Sequence, residues 1–497
     1  MLTLAKSASP THISVQNRLK TCFVGVLAVA VAVTVAVSVS GCAVTVAPGP
    51  RADVPEHFSQ VAEGPSRDPS VGGVDSLWYQ IFASSELDAL IKSADAANQD
   101  LAAAEARVAQ ANARARAAGA AIFPEVSANG SLASYSGRAG GSSGHETDWS
   151  ALLAASYEID FWGKNRATAR SAQFQAAASA ADRETLKLTT HAAVANTYFQ
   201  VLSLRQRVGV AEADLKVLQN VLSVVEARFQ AGLTGAVELA TQRAAIASAQ
   251  VLIPQLHQQE SEALGALALL VGHPPEGFEI NGQSLEALSE PQVDAGLPSM
   301  LLTRRPDLSA AEANLRAADA DVVAARAALL PTIALTVSGG VQNPAVQAVV
   351  LTLAGTGPTL TLGATLVQTV FDGGRRRAQS ELSVARKNEL LATYRGTVLA
   401  ALVDVENALA ARGHLEEQRP LLAAAMMQSQ QAVDGALSRF HAGSGDYLTV
   451  LETQRTLHTA QDQMSQYTLQ RLQVAVGLCR ALGGGWRASP PAASAGN

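Results

Sequence analysis

The chain contains two copies of one sequence pattern, and this duplication limits the possible folds more than any other feature. The triplet Ala104-Glu105-Ala106 returns as Ala311-Glu312-Ala313, 207 positions later (311 − 104). Further along, Arg228-Phe229-Gln230-Ala231-Gly232 returns as Arg439-Phe440-His441-Ala442-Gly443, 211 positions later. Such a period is much longer than the roughly 20–50 residues of a solenoid repeat. The chain is therefore a duplicated half, and we expect two equivalent sets of elements around one pseudosymmetric centre.

The N-terminus has the pattern of a secreted lipoprotein. Lys6, Arg18 and Lys20 precede an apolar run from Phe23 to Val39, and Ser40-Gly41-Cys42 follows. A basic segment, an apolar run and small residues are typical of a secretory signal. The Ser-Gly-Cys ending resembles a bacterial lipobox, which implies cleavage before Cys42 and acylation of its thiol. The alternative is an uncleaved membrane anchor, because the run reaches the short end of the ~17–25 residues that span a bilayer.

Charge and cysteine content exclude several classes of protein. The formal net charge is −6, and cleavage after residue 41 would remove three basic residues, leaving 34 basic and 43 acidic residues and a charge of about −9. Nucleic-acid-binding domains are basic instead, so we expect no nucleic-acid partner. Cys22 leaves with the signal and Cys42 would be acylated, so only Cys479 remains and no internal disulfide can form.

Each half contains a segment in which apolar and polar residues alternate, which predicts strands with one apolar face. One strand pair lies within 125–160, and a second pair lies at 332–338 and 359–366. Strands of about 9–11 residues beside glycine-rich loops are typical of an outer-membrane β-barrel. The alternative is a soluble hairpin with one buried face. The apolar positions are Trp149, Ala151, Leu153, Ala155, Tyr157, Ile159 and Phe161 in the first half, and Ile333, Leu335, Val337, Leu360, Leu362, Ala364 and Leu366 in the second.

Each half also contains a helix of unusual length. The first, Lys164–Phe229, has no proline, and its apolar residues recur in the alternating steps of three and four that are typical of coiled coils. At 1.5 Å per residue it would span roughly 100 Å. A glycine-rich turn and a returning helix follow. The second half repeats this arrangement with a helix over about 375–440, a turn at Gly443-Ser444-Gly445 and a return to about 482.

Four strands per chain cannot close a membrane barrel, because even small barrels have about eight. Open sheet edges do not occur in lipid, so the strands must come from several chains. Three copies would supply twelve strands and twelve long helices. We therefore predict a mainly α chain with a membrane β-barrel, whose trimer forms a 12-strand β-barrel and a 12-helix α-barrel.

Several motifs match one protein family. They are Leu269-Leu270-Val271-Gly272-His273-Pro274-Pro275, Leu297-Pro298-Ser299 with Arg304-Arg305-Pro306-Asp307-Leu308, and Tyr447-Leu448 with Thr453-Gln454-Arg455. The chain resembles the TolC-like outer-membrane factors of tripartite efflux pumps, in particular the NodT/OprM-like lipoprotein branch that works with RND-type transporters. The resemblance implies a homotrimeric tunnel in the outer membrane that extends into the periplasm. It also implies two protein partners, a periplasmic adaptor (membrane fusion) protein and an inner-membrane RND-type transporter.

The pattern predicts the following division of the chain: signal peptide 1–41, lipid-anchored tether 42–85, first repeat 86–272, equatorial linker 273–296, second repeat 297–482 and disordered tail 483–497.

The chain lacks the residue patterns of an enzyme. Its histidines are scattered, with no close pair at metal-ligand spacing, and no nucleophile elbow, Walker loop or zincin helix is present. We therefore expect no catalysis, no cofactor and no bound metal.

Two groups of residues are candidate functional sites. Leu448, Glu452 and Arg455 are spaced four and three apart, so they share a helix face. In the resembled family an apolar ring and a carboxylate ring close the periplasmic end at positions that match Leu448 and Glu452, and Arg455 matches a restraining polar residue. The alternative is an ordinary exposed ion pair. The second group is the glycines of the two turns, which would form the tips that contact the adaptor: Gly232, Gly235, Gly443 and Gly445.

We predict a passive exit duct that exports small molecules delivered by the transporter and the adaptor. Two alternatives remain open at this point. One is an exit duct for protein secretion, and the other is a periplasmic coiled-coil scaffold lipoprotein without a pore.

Overall fold

The computed structural model describes residues 55, 57–59, 76–139, 142–289, 293, 298–342 and 359–487. Cys42 and most of the predicted tether lie outside the described residues. Within them, the helices of the first half are α1 (Ser85–Ala97), α2 (Gln99–Ala120), α3 (Lys164–Gln230) and α4 (Ala236–Val271). Those of the second half are α5 (Leu301–Arg304), α6 (Pro306–Ala327), α7 (Arg375–His441) and α8 (Tyr447–Ala481). Short 3-10 helices lie at Trp78–Phe82, Leu285–Ala287 and Pro298–Met300.

The duplication is visible in the lengths of the helices. Helices α3 and α7 each contain 67 residues and begin 211 positions apart, and α2 and α6 each contain 22 residues and begin 207 positions apart. Both long helices follow a glycine at positive φ, Gly163 at 78° and Gly374 at 87°. The two offsets found in the sequence therefore correspond to equivalent structural elements.

The four predicted strands are present and form one antiparallel sheet. They are β1 (Glu125–Ala139), β2 (Ser142–Ile159), β3 (Thr332–Gln342) and β4 (Thr359–Val367), in the order β1-β2-β3-β4. Each half supplies one hairpin, and β2 of the first half pairs with β3 of the second, with Ala155 opposite Val337. Strands β1 and β4 are therefore the two edges of the sheet.

The first repeat begins with two helices, α1 and α2, and Asn98 separates them. Its side-chain oxygen accepts a hydrogen bond from the Leu101 amide, which caps the start of α2, and its amide nitrogen donates to the Leu270 carbonyl. Asparagine is among the residues that favour this capping position. The alanine-rich sequence around it continues without a break in pattern, so only the capping residue marked the boundary.

Helix α3 is the centre of the packing. It contacts α2 and α4 of its own half and α6 and α8 of the other half. The largest apolar core lies where α1, α3 and α4 meet, around the fully buried side chains of Trp78, Phe82, Leu87 and Phe199. Trp78 and Phe82 belong to the segment predicted as tether, so the packed body begins before residue 86 and that boundary is wrong.

The C-terminal boundary of the second repeat also lies further along than predicted. Gly483 and Gly484 are buried, and a Cβ at Gly483 would collide with the carbonyl of Arg304. Both have positive φ, at 89° and 56°. The first residues of the predicted disordered tail therefore form a packed turn, because glycine permits this conformation and this close approach.

Among the described residues, no helix combines the length and the apolar character needed to cross a membrane.

Candidate functional site at the hairpin tips and the sheet

One face of the sheet is a band of apolar side chains that is exposed in the single chain. Leu132, Leu153, Leu360 and Leu362 are between 59% and 77% exposed. The registers Leu153 opposite Gly339 and Gly339 opposite Leu360 place apolar residues of successive strands on the same face. The other face carries Ser127, Ser131, Ser150, Thr336, Thr361 and Thr365. An apolar outer face and a polar inner face are the pattern of a strand that lies between lipid and a water-filled lumen.

The far ends of the long helices are tight turns that depend on glycine. Gly232 lies within the turn after α3 at φ 70°, and Gly443 lies within the turn after α7 at φ 77°. A Cβ at Gly445 would lie 2.7 Å from the Phe440 nitrogen, so the backbone approaches there more closely than a side chain allows. Gly235 precedes α4 in an extended conformation. All four predicted tip glycines thus lie at the two hairpin tips.

The two tips of one chain pack against each other. The guanidinium of Arg228 lies 4.7 Å from the centre of the Phe440 ring, a cation–π contact between the first and second tips. Beneath it is a small core of Val221, Val225, Tyr447 and Val450. Each tip is therefore positioned by the other.

The three predicted gate residues share one exposed face of α8. Leu448 is 60% exposed, and Glu452 and Arg455 are also exposed. The opposite face of this segment buries Tyr447, Val450 and Gln454. Within the described part of the chain, neither Glu452 nor Arg455 forms an ion pair. The helix thus presents one apolar and two charged side chains on a single surface, and the two charges have no ion-pair partner among the described residues.

A hydrogen-bonded link beneath this surface was missed in the sequence. The Tyr447 hydroxyl donates to Gln242 Oε1 at 2.6 Å, and Gln242 Nε2 donates to the Leu218 carbonyl at 2.5 Å. Burial, with a smaller effect of the nearby Glu238 carboxylate, raises the pKa of Tyr447 to about 12, so this hydroxyl keeps its proton. The triplet Thr241-Gln242-Arg243 is repeated as Thr453-Gln454-Arg455, and this repetition pointed to Gln242 as a residue of interest. It carried no information about the hydrogen-bond partner of Gln242, Tyr447, which lies 205 positions away.

The same polar positions in the two halves have different surroundings. Gln454, the counterpart of Gln242, is 4% exposed, and neither of its amide atoms has a hydrogen-bond partner among the described residues. Arg243 pairs with Glu226 at 2.9 Å. Its counterpart Arg455 has Leu437 at the position that corresponds to Glu226.

Charged pairs also join the two halves along α3 and α8. Arg207 Nε lies 2.6 Å from Asp462 Oδ1, and His458 Nδ1 lies 3.9 Å from Asp214 Oδ2. Burial raises the pKa of Asp214, which opposes the smaller effect of His458. The contact between the two halves is thus partly ionic.

Across the described residues, no group of three or more His, Cys, Asp and Glu is placed to hold a metal ion.

A sheet with an exposed apolar face, continued by helical hairpins whose first helices contain 67 residues each, defines a channel subunit that is inserted in a membrane and reaches far beyond it. The chain belongs to the outer membrane efflux protein family, whose model matches residues 90–273 and again residues 297–484. The two matches begin 207 residues apart (297 − 90), the offset found between the two halves.

Curated relatives and solved structures agree with this assignment. OpmQ of Pseudomonas aeruginosa, a pyoverdine export outer membrane protein, is 44% identical over 421 residues, which cover 82% of this chain and 87% of OpmQ. TtgC of Pseudomonas putida, a toluene efflux pump outer membrane protein, is 30% identical over 443 residues, 88% of this chain and 91% of TtgC. The outer-membrane channel OprN superposes with a TM-score of 0.79 at 27% identity over 89% of this chain and 99% of OprN. The predicted class, an outer-membrane exit duct for efflux, is confirmed.

Proposed function

We propose that three copies of the chain assemble into a closed duct, with a 12-strand barrel in the outer membrane and twelve long helices in the periplasm. The observation that carries the proposal is the exposed apolar face of a four-stranded sheet with two unpaired edges. Lipid does not tolerate open edges, and about eight strands is the smallest barrel. A ring of three chains satisfies both conditions.

Conductance of the purified protein in a planar bilayer tests this proposal. Discrete channel events and the mass of a trimer are expected. A trimer without conductance would indicate a scaffold lacking a pore. The matched control is Leu362→Arg, which places a charge on the proposed lipid face of β4 and should impair insertion, because Arg or Lys there destabilises barrels by about 2–4 kcal/mol at the bilayer centre.

The duct is passive in this proposal and performs no chemistry. Flow is driven by an inner-membrane RND-type transporter and passes through a periplasmic adaptor. The tips that meet the adaptor are the turns at Gly232, Gly235, Gly443 and Gly445. The exposure of the neighbouring Leu233 and Val237, 72% and 75%, supports this proposal.

Leucine at Gly232 or Gly443 should block pump assembly. Gly277→Leu is the matched control, since Gly277 has φ 74° and open space around it but lies far from the tips in sequence. Binding of the adaptor and cargo export that both stay at the wild-type level in both tip variants would contradict the proposal.

The periplasmic end is closed in this proposal by three copies of Leu448, Glu452 and Arg455. Their exposure on one face of α8 supports it. Three carboxylates near one axis repel one another within the screening length of about 8 Å at physiological salt. Arg455 would restrain this ring, and Leu448 would exclude water from it.

The cargo class is suggested by the relatives. The 44% identity to a pyoverdine export protein exceeds the 30% identity to a toluene efflux component, so we propose secreted siderophores of the pyoverdine type as cargo. Expression in Pseudomonas aeruginosa that lacks OpmQ should restore extracellular pyoverdine. Restoration of toluene or antibiotic tolerance without pyoverdine export would contradict this cargo.

The chain is held at the membrane surface by acylation of Cys42 as well as by the barrel. The Ser40-Gly41-Cys42 sequence supports this proposal, and Ala43 follows it. Cys42→Ser should abolish palmitate labelling, whereas Cys479→Ser, at a buried thiol, should not. Full labelling of the first variant would disprove it.

A further inference from the structure

A short segment near the N-terminus is fixed on α7, far from it in sequence. Phe58 is 3% exposed and lies in the apolar core of the second half with Val398 and Val405. The Ser59 amide donates a hydrogen bond to Glu406 Oε1 at 2.6 Å, and the Ser59 hydroxyl donates to Glu406 Oε2 at 2.8 Å. Both oxygens of one carboxylate, 347 positions away, therefore hold a segment that the sequence analysis assigned to the tether.

The second half has less helix than the first at the place where this segment binds. Helices α1 and α5 end 207 positions apart and are counterparts, but α1 contains 13 residues and α5 contains four. In the first half, α1 contributes to the core around Val194 of α3. The counterpart of Val194 on α7 is Val405, whose core includes Phe58. The counterpart of Glu406 on α3 is Ala195, so the carboxylate that holds Ser59 is specific to the second half.

We propose that this contact fastens the acylated N-terminus to α7, and that residues 42–59, here called the strap, match in length the distance from the membrane surface to Glu406. The length match rests on the proposed acylation of Cys42, whereas the contact of Phe58 and Ser59 with α7 does not. The hairpin of α7 and α8, which carries the proposed gate, thus has a second attachment to the membrane besides the sheet.

The distance that the strap must bridge follows from α7. Val370 and Phe371, between β4 and α7, are 95% and 89% exposed, and aromatic side chains are typical of the interfaces of a membrane barrel. Glu406 lies 31 residues after Arg375, the first residue of α7 (406 − 375). At 1.5 Å per residue, Glu406 is therefore about 47 Å further along the helix.

The strap contains just enough residues for this distance. Phe58 lies 16 residues after Cys42 (58 − 42), and Pro48, Pro50 and Pro55 lie between them. A proline-rich spacer of this length covers about 50 Å at about 3.1 Å per residue, and full extension gives at most about 53–58 Å. The acyl chains can therefore be in the lipid while Phe58 is in its core only if the strap is close to fully extended.

Cleavage by chymotrypsin tests the docking contact in the full-length acylated protein, reconstituted in nanodiscs so that the periplasmic side is accessible. The protease can cleave after Phe58 only when this buried side chain leaves its core, and mass spectrometry measures the released peptide that ends at Phe58. Glu406→Ala should increase the cleavage rate severalfold. Glu417→Ala, which removes an exposed carboxylate of the same helix, should not. A wild-type rate in Glu406→Ala would overturn the docking contact.

Deletion of residues 44–49 tests the length match. The ten residues that remain from Cys42 to Phe58 span at most about 33–36 Å, which is less than the distance to be bridged. A palmitoyl chain buries more apolar surface than one phenylalanine side chain, so Phe58 is the end that should leave. Cleavage after Phe58 should therefore become severalfold faster.

Two controls separate strap length from other effects of the deletion. The first carries the same deletion with Cys42→Ser behind a secretory signal that lacks a lipobox. Without acyl chains the short strap is not held at the membrane, so the cleavage rate should equal that of the undeleted chain. The second replaces residues 44–49 by six Gly and Ser residues, which keeps the length and should keep the wild-type rate.

Each result decides one part of the proposal. Equal cleavage rates for the deleted strap with and without acyl chains would overturn the length match, whether both are slow or both are fast. Absence of palmitate from the wild-type protein would overturn the strap together with the Cys42 anchor. In that case faster cleavage in Glu406→Ala would still support the docking contact on α7.

Discussion

The tips of the two hairpins both turn at a glycine of positive φ, Gly232 and Gly443, but their polar side chains form different hydrogen bonds and ion pairs. In the first tip, Gln242 makes two hydrogen bonds and Arg243 is paired with Glu226. In the second tip, Gln454 is buried without a partner among the described residues, and Arg455 has Leu437 where the first half has Glu226. A buried polar group without a hydrogen bond is costly. The duplicated tips thus differ in polar stabilisation, and the less stabilised tip carries the proposed gate.

The largest expected effect is on conductance, and it should be confined to the second tip. Leu448→Ala combined with Arg455→Glu should raise single-channel conductance severalfold, because it removes the apolar plug and adds repulsion to the Glu452 ring. Glu452→Ala should reduce cation preference. The matched control is Arg243→Glu in the first tip, which should leave conductance near the wild-type value. Wild-type conductance and selectivity in all second-tip variants would place the constriction elsewhere.

Replacing the two glutamines should have opposite consequences for stability. Gln242→Leu leaves the buried Tyr447 hydroxyl without its acceptor and should lower the free energy of unfolding by about 1–3 kcal/mol. Gln454→Leu removes two unpartnered atoms and should be neutral or stabilising. Thermal unfolding of both variants measures the contrast. Equal destabilisation would show that Gln454 has partners in the assembled protein, and the asymmetry between the tips would then be absent.

The pair of His191 and Asp95 in the first half should make the stability of the protein depend on pH, and the second half has no equivalent pair. His191 Nε2 lies 2.7 Å from Asp95, and burial lowers the pKa of His191 more than Asp95 raises it. Because the pKa of His191 is lower in the folded chain than in the unfolded chain, the unfolded chain binds the imidazole proton more tightly. Stability is therefore complete above the ordinary histidine value of 6.5 and decreases as pH falls below it through the folded pKa.

The second half has Leu402 and Leu302 at the corresponding positions. His191→Leu with Asp95→Leu should therefore flatten the unfolding midpoint between pH 7.5 and pH 5.5. His414→Leu, at an exposed histidine, should not. If the unfolding midpoint of the double variant still changes with pH, groups other than His191 and Asp95 cause the effect.

The smallest effect is expected at the ionic seam between α3 and α8. Arg207→Gln with Asp462→Gln reproduces the residues at the corresponding positions, Gln418 and Gln250. The loss should be about 0.2–1 kcal/mol, measured as a change in the salt dependence of unfolding. Unchanged salt dependence would mean that the seam is held by its apolar contacts alone.

The sequence predicted the elements whose signal is periodic. Alternation identified the strands, and the long proline-free segment identified α3, because a side-chain period of two or about 3.6 follows directly from backbone geometry. The end of the tether was predicted at residue 85, which is too far along the chain. Residues 43–75 are rich in Pro, Gly and Ser, whereas Trp78 and Phe82 are buried in a core that includes Phe199 of α3, more than 100 positions away in the chain.

The sequence likewise predicted one part of the candidate site and not another. The shared face of Leu448, Glu452 and Arg455 follows from helical spacing, and the structure places all three on one exposed surface. Their role as a gate remains a prediction. The link between Tyr447 and Gln242 depends on how two hairpins meet, and local spacing carries no information about such a contact.

The equal length of α3 and α7 limits how this chain can change over time. Adding one residue to α3 alone would rotate everything beyond it by about 100° and lengthen one leg of the duct by about 1.5 Å. The tips would then no longer end at one level, and Arg228 would move away from Phe440. The two halves can therefore diverge freely in side chains, as Gln242 and Gln454 have done in their surroundings, but a change in the length of α3 or of α7 requires the same change in the other.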